Sequence, residues 1–569
     1  MESNRKKALP IGISDFKEII ENNYYFIDKS LLIKELLETK AKVTLFPRPR
    51  RFGKTLNMNM LQYFFEKTER SNSHLFKNLA VNQYPKIMEH QGQYPAIFLT
   101  FKDIKTNTWD GCYQHLKSVI SLEYKRLEYL LEAPSLGQHE KKIFQAIIDK
   151  NADQVEYEIS LLNLSRYLHA YHKKPAIILI DEYDMPIVAG YTFGYYEDVV
   201  GFLRNFLSGG LKDNSNLAYS VMTGIVRIAK ESIFSGLNNL DVCSMASDHY
   251  ADKFGLLEHE VRDLLAYYEL SASIDDVRTW YNGYSSGQLK VYNPWSIINC
   301  ARNNGKLEPY WINTSSNDLI KQLLQEGSLQ LKKDLELILQ RKQVTKAFDH
   351  GLVFPELTKQ DDAVWNLLFY SGYLTVENQR LNEDDEIVVD FIVPNNEVLA
   401  FFKTSIRHWF VGASRISEQY KAMLDSLTSG NVIFFATVFQ QMVLTSLSSF
   451  DVGGNEPERF YHALVVGMLL SLQDRYEVTS NRESGYGRYD VMIIPRDITK
   501  LGIILEFKKA GADRPETLEE SAENALKQII DKQYDVELGS RGIQNILKLG
   551  IAFKGKQVCI KHESAEGIK

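Results

Sequence analysis

Short, almost continuously apolar segments alternate with segments of helical periodicity from residue 1 to about residue 255. The apolar segments are rich in β-branched residues, a composition typical of strands that helices cover on both faces. The pattern therefore predicts a parallel sheet with crossover helices. Leu56, Met60 and Phe64 recur at helical spacing after the first segment, which predicts a helix over 55–66. The predicted strands are 42–46, 96–101, 176–180 and 218–223.

The pattern changes at about residue 256, where amphipathic helices become the predominant signal. Loops rich in Asn, Gly and Ser separate these helices, and two aromatic clusters, WYNGY at 280–284 and YNPWS at 292–296, interrupt them as turns do. We therefore predict a mostly helical middle region that extends to residue 428.

A third region begins at residue 429 and has the element order of an α/β/α sandwich. The helix predicted over 457–472 is apolar almost all round, so we expect it to be buried. The elements predicted after it are strands at 489–495 and 502–508, a helix at 518–532 and a strand at 548–553. The chain is thus predicted to be α/β, with domains at residues 1–255, 256–428 and 429–569.

Composition narrows the choice of function without deciding it. The chain has 569 residues, enough for about three or four domains at roughly 150 residues each. Its formal net charge of −7 gives no general affinity for nucleic acid or for an anionic membrane, so any nucleic-acid contact must be local. Four widely separated cysteines without a C-x-x-C pair indicate neither a zinc site nor a disulfide framework. We expect a cytoplasmic protein without membrane contact, because there is no secretory signal and apolar runs such as 432–439 are too short to cross a bilayer.

The segment 46-FPRPRRFGKT-55 ends like a phosphate-binding loop. It lies between a predicted strand and a predicted helix, which is the context that such a loop requires. The general pattern G-x-x-x-x-G-K-[ST] begins with glycine, whereas Arg48 occupies that position here. Lys54 would reach the β- and γ-phosphates of a nucleotide, and the Thr55 hydroxyl would bind Mg²⁺. Backbone N–H groups at the helix N-terminus would hold phosphate oxygens, so the expected nucleotide-binding segment is Arg51, Phe52, Gly53, Lys54 and Thr55.

A second predicted strand supports this interpretation, because 176-AIILIDEYD-184 places two acidic residues directly after apolar ones. Asp181 is expected to hold Mg²⁺, and Glu182 is expected to polarise the water that attacks the γ-phosphate. The alternative is a buried strand that ends in a solvated acidic turn.

The strand predicted at 218–223 ends in Thr223, a polar residue placed to sense the γ-phosphate. Arg227 and Lys230 follow within one short segment, and either could supply a positive charge to the transition state. Each could equally be a solvated charge on a helix.

A second group of chemically active residues lies in the third region. Asp490 begins one predicted strand, and Glu506 lies near the end of the next, with Lys508 two residues later. Because strand side chains alternate between faces, Glu506 and Lys508 point the same way and Phe507 points into the opposite layer. Two carboxylates and a lysine in this arrangement predict a Mg²⁺ site that activates water for attack on a phosphodiester.

Further residues near these strands fit a nuclease site. Glu458 lies on the preceding predicted helix as a third acidic candidate for the metal, and Gln528 lies on the following helix as a supporting polar group. A local basic cluster could meet a phosphate backbone, and its members are Arg482, Arg488, Lys508 and Lys509. The alternative is a decayed or purely structural site.

These motifs together resemble the bacterial AAA-ATPase-like proteins that carry a C-terminal PD-(D/E)xK nuclease-like domain. The resemblance runs over nearly the whole chain, and it implies an ATPase module and a nuclease-like module. In that family the form R-P-R-R-F-G-K-[ST] of the loop is the usual one, so Arg48 departs from the general pattern only. Its markers here are PIGISDF at 10–16, YFIDKS at 25–30, RPRRFGKT at 48–55, LIDEYDMPI at 179–187, TGIVRIAKESIFSGLNN at 223–239, YNPWS at 292–296, FYSGYLT at 369–375 and RESGYGRYD at 482–490.

The sequence thus predicts an ATPase that uses ATP and Mg²⁺ and couples nucleotide state to a metal-dependent nuclease acting on nucleic acid, with DNA favoured over RNA. DNA processing or defence against foreign DNA is the expected setting. Arg50 or Arg51 could also reach a neighbouring subunit, in which case the protein would be a homo-oligomer. One alternative is a nucleotide-switched signalling or binding protein whose nuclease-like domain is inactive. A nucleotide kinase is a weaker alternative, because no constellation for phosphorylating a second substrate is visible.

Overall fold

A computed structural model describes residues 6–227, 239–311, 318–349, 351, 354–357, 359–411, 416–446, 465, 468–469, 472, 475–510 and 516–564. The chain forms two compact units. The first consists of Met1–Leu323 and Gln343–Val398, and the second of Leu324–Lys342 and Leu399–Lys569. The finer division into three domains at residues 255 and 428 stays a prediction.

The first unit is built around a five-stranded sheet whose strands all pair in parallel. Its strands are β1 (Val43–Pro47), β2 (Ala96–Thr100), β3 (Ala176–Asp181), β4 (Leu217–Gly224) and β5 (Leu240–Val242). The strand order is β2-β3-β4-β1-β5. The predicted parallel sheet is confirmed, and β5 was not predicted because it is only three half-buried residues long.

Helices cover both faces of this sheet, as the nearly complete burial of β1, β3 and β4 requires. The helix predicted over 55–66 is present as α3. Single 3₁₀ turns lie at Ser73–Phe76, Ala80–Gln83 and Glu128–Glu132. The helices are α1 (Phe16–Glu21), α2 (Leu31–Thr39), α3 (Lys54–Phe65), α4 (Pro85–Met88), α5 (Trp109–Arg126), α6 (Gln138–Ile148), α7 (Gln154–Glu158), α8 (Ser160–His172), α9 (Met185–Phe193) and α10 (Tyr196–Leu211).

The middle of the chain is helical, as predicted, but it also contains short antiparallel strands that were not predicted. The helices are α11 (Glu258–Tyr268), α12 (Ile274–Tyr281), α13 (Pro294–Arg302), α14 (Asp318–Glu326), α15 (Leu329–Leu339) and α16 (Asp361–Tyr370), with a 3₁₀ turn at Phe354–Glu356. The strands are β6 (Tyr284–Ser286), β7 (Leu289–Val291), β8 (Val344–Ala347), β9 (Thr375–Leu381) and β10 (Ile387–Ile392). The pair β6–β7 forms a hairpin, and the other three form a sheet in the order β8-β10-β9.

The second unit contains a mixed five-stranded sheet with helices on both faces. One face packs on α18 and α19 through a core that includes Phe435, Phe439 and Phe507, and the other face packs on α20 through Ile504 and Ile529. The α/β/α sandwich is therefore confirmed. Besides α15, its helices are α18 (Ile416–Ser429), α19 (Val432–Ser446), α20 (Leu518–Asp531), α21 (Val536–Ser540) and most of α17 (Asn396–Val411), which begins in the first unit.

The strands of this sheet are β11 (Tyr476–Ser484), β12 (Gly487–Pro495), β13 (Gly502–Lys509), β14 (Ile546–Lys554) and β15 (Gln557–Ser564), in that order. Only β13 and β14 pair in parallel, and the other pairs are antiparallel. The two outer strands were not predicted, because their polar sequences lack the apolar runs of the inner three. Most of the helix predicted over 457–472, including Glu458, lies outside the described residues. None of the described helices is both long and apolar enough to span a bilayer.

Candidate nucleotide and carboxylate sites

The order of the strands in the first sheet brings three chain segments to one edge. Strand β4 lies between β1 and β3, and because the pairings are parallel the carboxyl ends of all three strands meet there. The loop after β1 leads directly into α3, whose N-cap is Gly53 with φ of 81°. Glycine adopts this left-handed conformation without a steric penalty, so it lets the chain turn sharply into the helix. The exposed N–H groups of the first helical turn then face the same edge.

Asp181 joins the three segments through both of its carboxylate oxygens. The Thr55 hydroxyl donates to Asp181 Oδ2 at 2.8 Å, and the Thr223 hydroxyl donates to Asp181 Oδ1 at 2.6 Å. Asp181 is fully buried at the end of β3. The structure therefore places these three predicted residues together, and their hydroxyl and carboxylate oxygens are the kind of ligand that Mg²⁺ takes.

Lys54 is almost completely buried beside this network, with 4% of its surface exposed. Its ammonium donates to the carbonyl oxygens of Arg48 and Pro49, both at 3.0 Å. Burial lowers the pKa of Lys54, while the carboxylates of Glu182, Asp184 and Asp181 oppose that shift. The loop thus supplies its own acceptors to a lysine that has little access to water.

Arg48 occupies the position at which the general loop pattern has glycine, and its side chain packs inside the protein rather than facing the cavity. It is fully buried, and its Nη1 donates to the carbonyl oxygen of Cys243 at 2.6 Å, just after β5. Its backbone N–H donates to the Gly224 carbonyl at the end of β4, and its guanidinium lies 5.1 Å from the centre of the Phe254 ring. Burial lowers the pKa of Arg48 to about 10. Arg48 therefore connects β1 with the strands on either side of it.

The next two arginines face a cavity instead. Arg51 has φ of 67°, and its guanidinium lies 4.4 Å from the centre of the Trp295 ring at the start of α13. Both Arg50 and Arg51 line a cavity of about 500 Å³, together with Gly53, Lys54 and Thr55. The sequence suggested charge in this loop but not the division between one buried and two cavity-lining arginines.

The rest of the cavity wall combines charged and apolar side chains. Glu182 and two lysines that follow β2, Lys102 and Lys105, lie on the polar side. The apolar wall comes from the N-terminal segment, α1, α3 and α13, and its members are Pro10, Ile13, Ile19, Leu56, Pro294, Trp295 and Ile298. The stretches PIGISDF and YNPWS, predicted as a family marker and as an aromatic turn that is also a family marker, supply part of the cavity wall. A cavity with one charged and one apolar side can accommodate the phosphates and the base of a nucleotide.

Glu182 is held in an unusual backbone conformation at this edge. Its φ of 51° is in the left-handed region, which residues other than glycine adopt infrequently, and its N–H donates to the Thr223 hydroxyl at 3.4 Å. Strained backbone of this kind is concentrated at functional sites. The side chain lines the cavity close to Lys54 and Thr55, in keeping with the role predicted for it.

The side chains of two residues predicted to bind the nucleotide have other neighbours in the structure, and their nucleotide contacts stay a prediction. The Phe52 side chain is buried and packs edge-on against Tyr284 with ring centres 5.2 Å apart, so it belongs to the aromatic core. Arg227 lies near Tyr370, where its charge opposes the rise that burial produces in the pKa of the Tyr370 hydroxyl. Lys230 is outside the described residues.

Asp184 is a buried acidic residue that the sequence analysis did not assign. Its Oδ2 accepts hydrogen bonds from the backbone N–H groups of Ile225 and Val226, at 2.7 and 3.0 Å. Burial raises the pKa of Asp184 to about 6. Asp184 therefore fixes the turn that follows Thr223, and the third carboxylate in the stretch IDEYD was the available signal.

The carboxylates of the second unit lie where two strands separate. The pairing of β12 with β13 ends at Val491 and Leu505, one residue before Asp490 and Glu506. Beyond that point the side chains bond to the backbone of the opposite strand. The Asp490 N–H donates to Glu506 Oε2 at 3.3 Å, and the Phe507 N–H donates to Asp490 Oδ2 at 2.8 Å. The two predicted carboxylates are thus adjacent.

The predicted supporting residues lie around this pair. Gln528 on α20 donates from its amide to Glu506 Oε1, and the same amide is 3.3 Å from the hydroxyl of buried Tyr534. Glu506 is 3% exposed, whereas Lys508, two residues along the strand, is half-buried. Phe507 packs into the opposite core, as the alternation of strand side chains requires. Tyr534 was not singled out from the sequence.

The described part of this site offers two carboxylates, those of Asp490 and Glu506, as ligands for a metal ion. Among the described residues there is no group of three or more His, Cys, Asp and Glu side chains that could hold a metal ion. Of the basic cluster, Arg482 and Arg488 are exposed and Lys509 is half-buried. Arg482 also lies 3.9 Å from Glu477.

Comparisons with known proteins find a match for each of the two regions that contain a candidate site. Residues 10–234 match a family model described as predicted AAA-ATPase, and residues 456–563 match the model of the PD-(D/E)XK nuclease superfamily. The chain joins an AAA-ATPase-like domain to a PD-(D/E)XK nuclease-superfamily domain. The AAA-ATPase-like domain contains the loop, Asp181 and Thr223, and the nuclease-superfamily domain contains Asp490 and Glu506.

The same two-domain chain is similar along its length to a protein of Azotobacter chroococcum mcd 1. That relative is described as an uncharacterized protein in the vnfD 5′ region. It is 26% identical over 562 residues, which cover 96% of each chain. No solved structure matches.

Proposed function

We propose that this protein binds and hydrolyses ATP in its first unit and cleaves nucleic acid, preferentially DNA, with a divalent metal in its second. The observation that carries the proposal is the hydrogen-bonded chain Thr55–Asp181–Thr223 beside Lys54 and Glu182. This chain lies at the N-terminus of α3 and at the edge of a cavity large enough for a nucleotide.

Each residue of the first site then has a role in this proposal. The phosphates lie against the N-terminus of α3 and take over the Lys54 ammonium from the carbonyl oxygens of Arg48 and Pro49. Thr55 and Asp181 hold Mg²⁺, which neutralises developing charge on the phosphates when it is bound. Glu182 orients the attacking water, and the apolar wall around Ile13 receives the base.

For the second site, Asp490 and Glu506 supply oxygen ligands suited to Mg²⁺, with Glu458 as a third candidate. A divalent metal bound there would supply a water of lowered pKa and charge for the phosphodiester. The half-buried Lys508 faces the same side of β13 as Glu506 and is placed to meet a phosphate oxygen.

The experiment is a cleavage assay on single- and double-stranded DNA and RNA, with and without ATP, in Mg²⁺ or Mn²⁺. Wild type, Lys54→Ala and Asp490→Ala are compared side by side. We expect Asp490→Ala to abolish cleavage and to leave ATP hydrolysis intact, and Lys54→Ala to abolish ATP binding. Cleavage that survives Asp490→Ala would contradict the nuclease assignment. ATP binding with no cleavage of any substrate would favour the alternative, a nucleotide-switched binding protein.

A further inference from the structure

The turn between β11 and β12 places one aromatic side chain in water near the carboxylate site. Tyr486 is 74% exposed at this turn, between Ser484 and Gly487, which pair across the hairpin. Single exposed apolar residues are ordinary on protein surfaces. Tyr486 is unusual because the backbone of its turn is fixed by contacts with another segment of the chain.

Three contacts fix the turn to the segment that follows α20. The Tyr486 N–H donates to the Lys532 carbonyl at 2.8 Å, and the Ser484 hydroxyl donates to the Tyr534 carbonyl at 2.8 Å. Gly485 has φ of 58°, and a Cβ at that position would lie 2.2 Å from the Lys532 carbonyl oxygen. Only glycine permits this close approach, so the turn is docked as a rigid unit.

The segment that holds the hairpin also holds the carboxylates. Tyr534 accepts the Ser484 hydroxyl through its carbonyl, and its own hydroxyl contacts Gln528, which donates to Glu506. Along β12, Tyr486 precedes Asp490 by four residues, or about 13 Å at the rise of an extended strand. The backbone that carries the aromatic ring is therefore held at a fixed distance from the carboxylate site.

Basic side chains lie on the hairpin that carries the exposed ring and beside its turn. Arg482 and Arg488 are exposed on the two strands of the hairpin, and the Lys532 side chain lies against Gly487. Glu483, opposite Arg488, is the acidic residue nearest the turn, while Glu477 and Asp490 lie farther along the two strands. The surface combines cations, which can bind the phosphate backbone, with an aromatic face on which a base can stack. Proteins that bind single-stranded nucleic acids use this combination.

We propose that Tyr486 is a stacking platform for an unpaired base in a single-stranded segment of nucleic acid, whose backbone passes Arg488 and Lys532 on its way to Asp490 and Glu506. The proposal rests on the nucleic-acid substrate of the proposed function. A duplex keeps its bases stacked on one another, so an exposed ring at the end of a hairpin selects a strand whose bases are free.

The test is the binding of labelled single-stranded DNA and RNA and of a blunt duplex of equal length, measured by fluorescence anisotropy. All variants carry Asp490→Ala so that nothing is cleaved. Removing one stacked base contact typically costs a factor of about ten or more, so Tyr486→Ala should weaken single-strand binding about tenfold and duplex binding far less. Tyr486→Trp should restore it. Ile498→Ala, at an exposed apolar residue beyond the other end of β12, is the matched control and should bind like the parent.

Equal affinity of Tyr486→Ala and its parent for single strands would overturn the proposal, and so would equal losses for single strands and duplex, or no single-strand binding by the parent. The nuclease assignment is tested separately with Asp490 intact. Cleavage without any effect of Tyr486 would reject the platform alone. Tyr486-dependent binding without cleavage would reject the nuclease alone.

Discussion

The two candidate sites both hold carboxylates on strands, but the contacts that fix them differ. In the first unit, Asp181 receives two side-chain hydroxyls, from Thr55 and Thr223, each on a different element. In the second, Asp490 and Glu506 each accept from a backbone N–H of the opposite strand, and Glu506 also accepts from the Gln528 amide. Side-chain hydroxyls therefore connect the first site, whereas backbone N–H groups at the point where two strands separate contribute to the second.

This difference affects how the chemistry is divided. In the proposed function, the metal-binding oxygens of the first site belong to Thr55 and Asp181, while Glu182 is a separate residue with its own backbone conformation. At the second site, the same proposal requires one pair of carboxylates both to hold the metal and to position the attacking water. Substitutions should therefore separate binding from chemistry in the first unit and not in the second.

The largest effect is expected for Glu182→Gln. The glutamine keeps the size of the side chain but cannot accept a proton, and general-base catalysis contributes about 10²–10⁴ in rate. ATP hydrolysis should fall about 10³-fold while the affinity for ATP changes less than about threefold. Steady-state hydrolysis and equilibrium nucleotide binding measure the two quantities.

The matched change at the other site is Glu506→Gln. Here metal affinity and cleavage should fall together, because one carboxylate serves both. If Glu506→Gln lost cleavage with unchanged metal binding, or if Glu182→Gln lost ATP binding, the comparison between the sites would be wrong.

Arg48→Met should produce the next largest effect, on stability. The substitution leaves the carbonyl oxygen of Cys243 without its buried donor and removes a guanidinium packed on Phe254. Leaving a buried acceptor without its donor costs about 1–3 kcal/mol. Because the packing of the guanidinium on Phe254 is lost as well, we expect about 3 kcal/mol, read as faster hydrogen exchange in peptides containing β1 and β5 of the full chain. Arg50→Met is the matched control, and a comparable acceleration in that variant would show that Arg48 has no special structural role.

Much of this architecture could be predicted from the sequence. The inner strands of both sheets are buried apolar runs, which carry Asp181 and Thr223 at or beside their ends and Asp490 and Glu506 within them. Periodicity therefore located the candidate sites as well as the fold. Strand β5 was not predicted because it has only three residues, and β11 and β15 were not predicted because they are largely polar.

The sequence could not show which contacts each polar residue makes. Arg48, Arg50 and Arg51 are equivalent as letters, yet one is buried under β5 and two line the cavity. Phe52 was assigned to the nucleotide because it sits in the motif, whereas its side chain packs on Tyr284, a contact over more than two hundred residues. Such long-range partners are set by tertiary packing, which local pattern does not encode.

A pH-dependent stability is expected in the first unit, from Glu397 at the start of α17. It is fully buried, accepts from the Ser296 hydroxyl and the Trp311 N–H at 2.7 and 2.6 Å, and has its pKa raised to about 7 by burial. Between about pH 4.5 and 7 the folded chain holds a proton that the unfolded chain has lost, so stability falls as pH rises through this window, by about 3 kcal/mol in all.

Glu397→Gln mimics the protonated form and should remove that dependence. Thermal unfolding of the full chain at pH 5 and pH 7.5 provides the measurement, with exposed Glu383→Gln as the control. The stability of Glu397→Gln relative to wild type should increase as the pH rises. If the two proteins lost stability in parallel over this range, Glu397 would not be the titrating group.

The smallest effect, and the sharpest probe of the carboxylate site, is expected at Gln528. Its amide donates to Glu506 and so restrains the carboxylate from the side opposite the Asp490 N–H. Residues that orient metal ligands typically contribute about 10–100-fold in metal affinity or activity, and Gln528→Ala belongs at the low end because the backbone contact remains. The Mg²⁺ concentration for half-maximal cleavage should rise about tenfold in Gln528→Ala, and further in Gln528→Glu, which sets a like charge beside Glu506. Asn524 is exposed on the same helix, and Asn524→Ala should leave the half-maximal Mg²⁺ concentration unchanged. A half-maximal Mg²⁺ concentration that rises from wild type to Gln528→Ala to Gln528→Glu would establish that the Gln528 amide helps to fix Glu506. Three equal values would mean that the backbone contacts at the point of strand separation are sufficient.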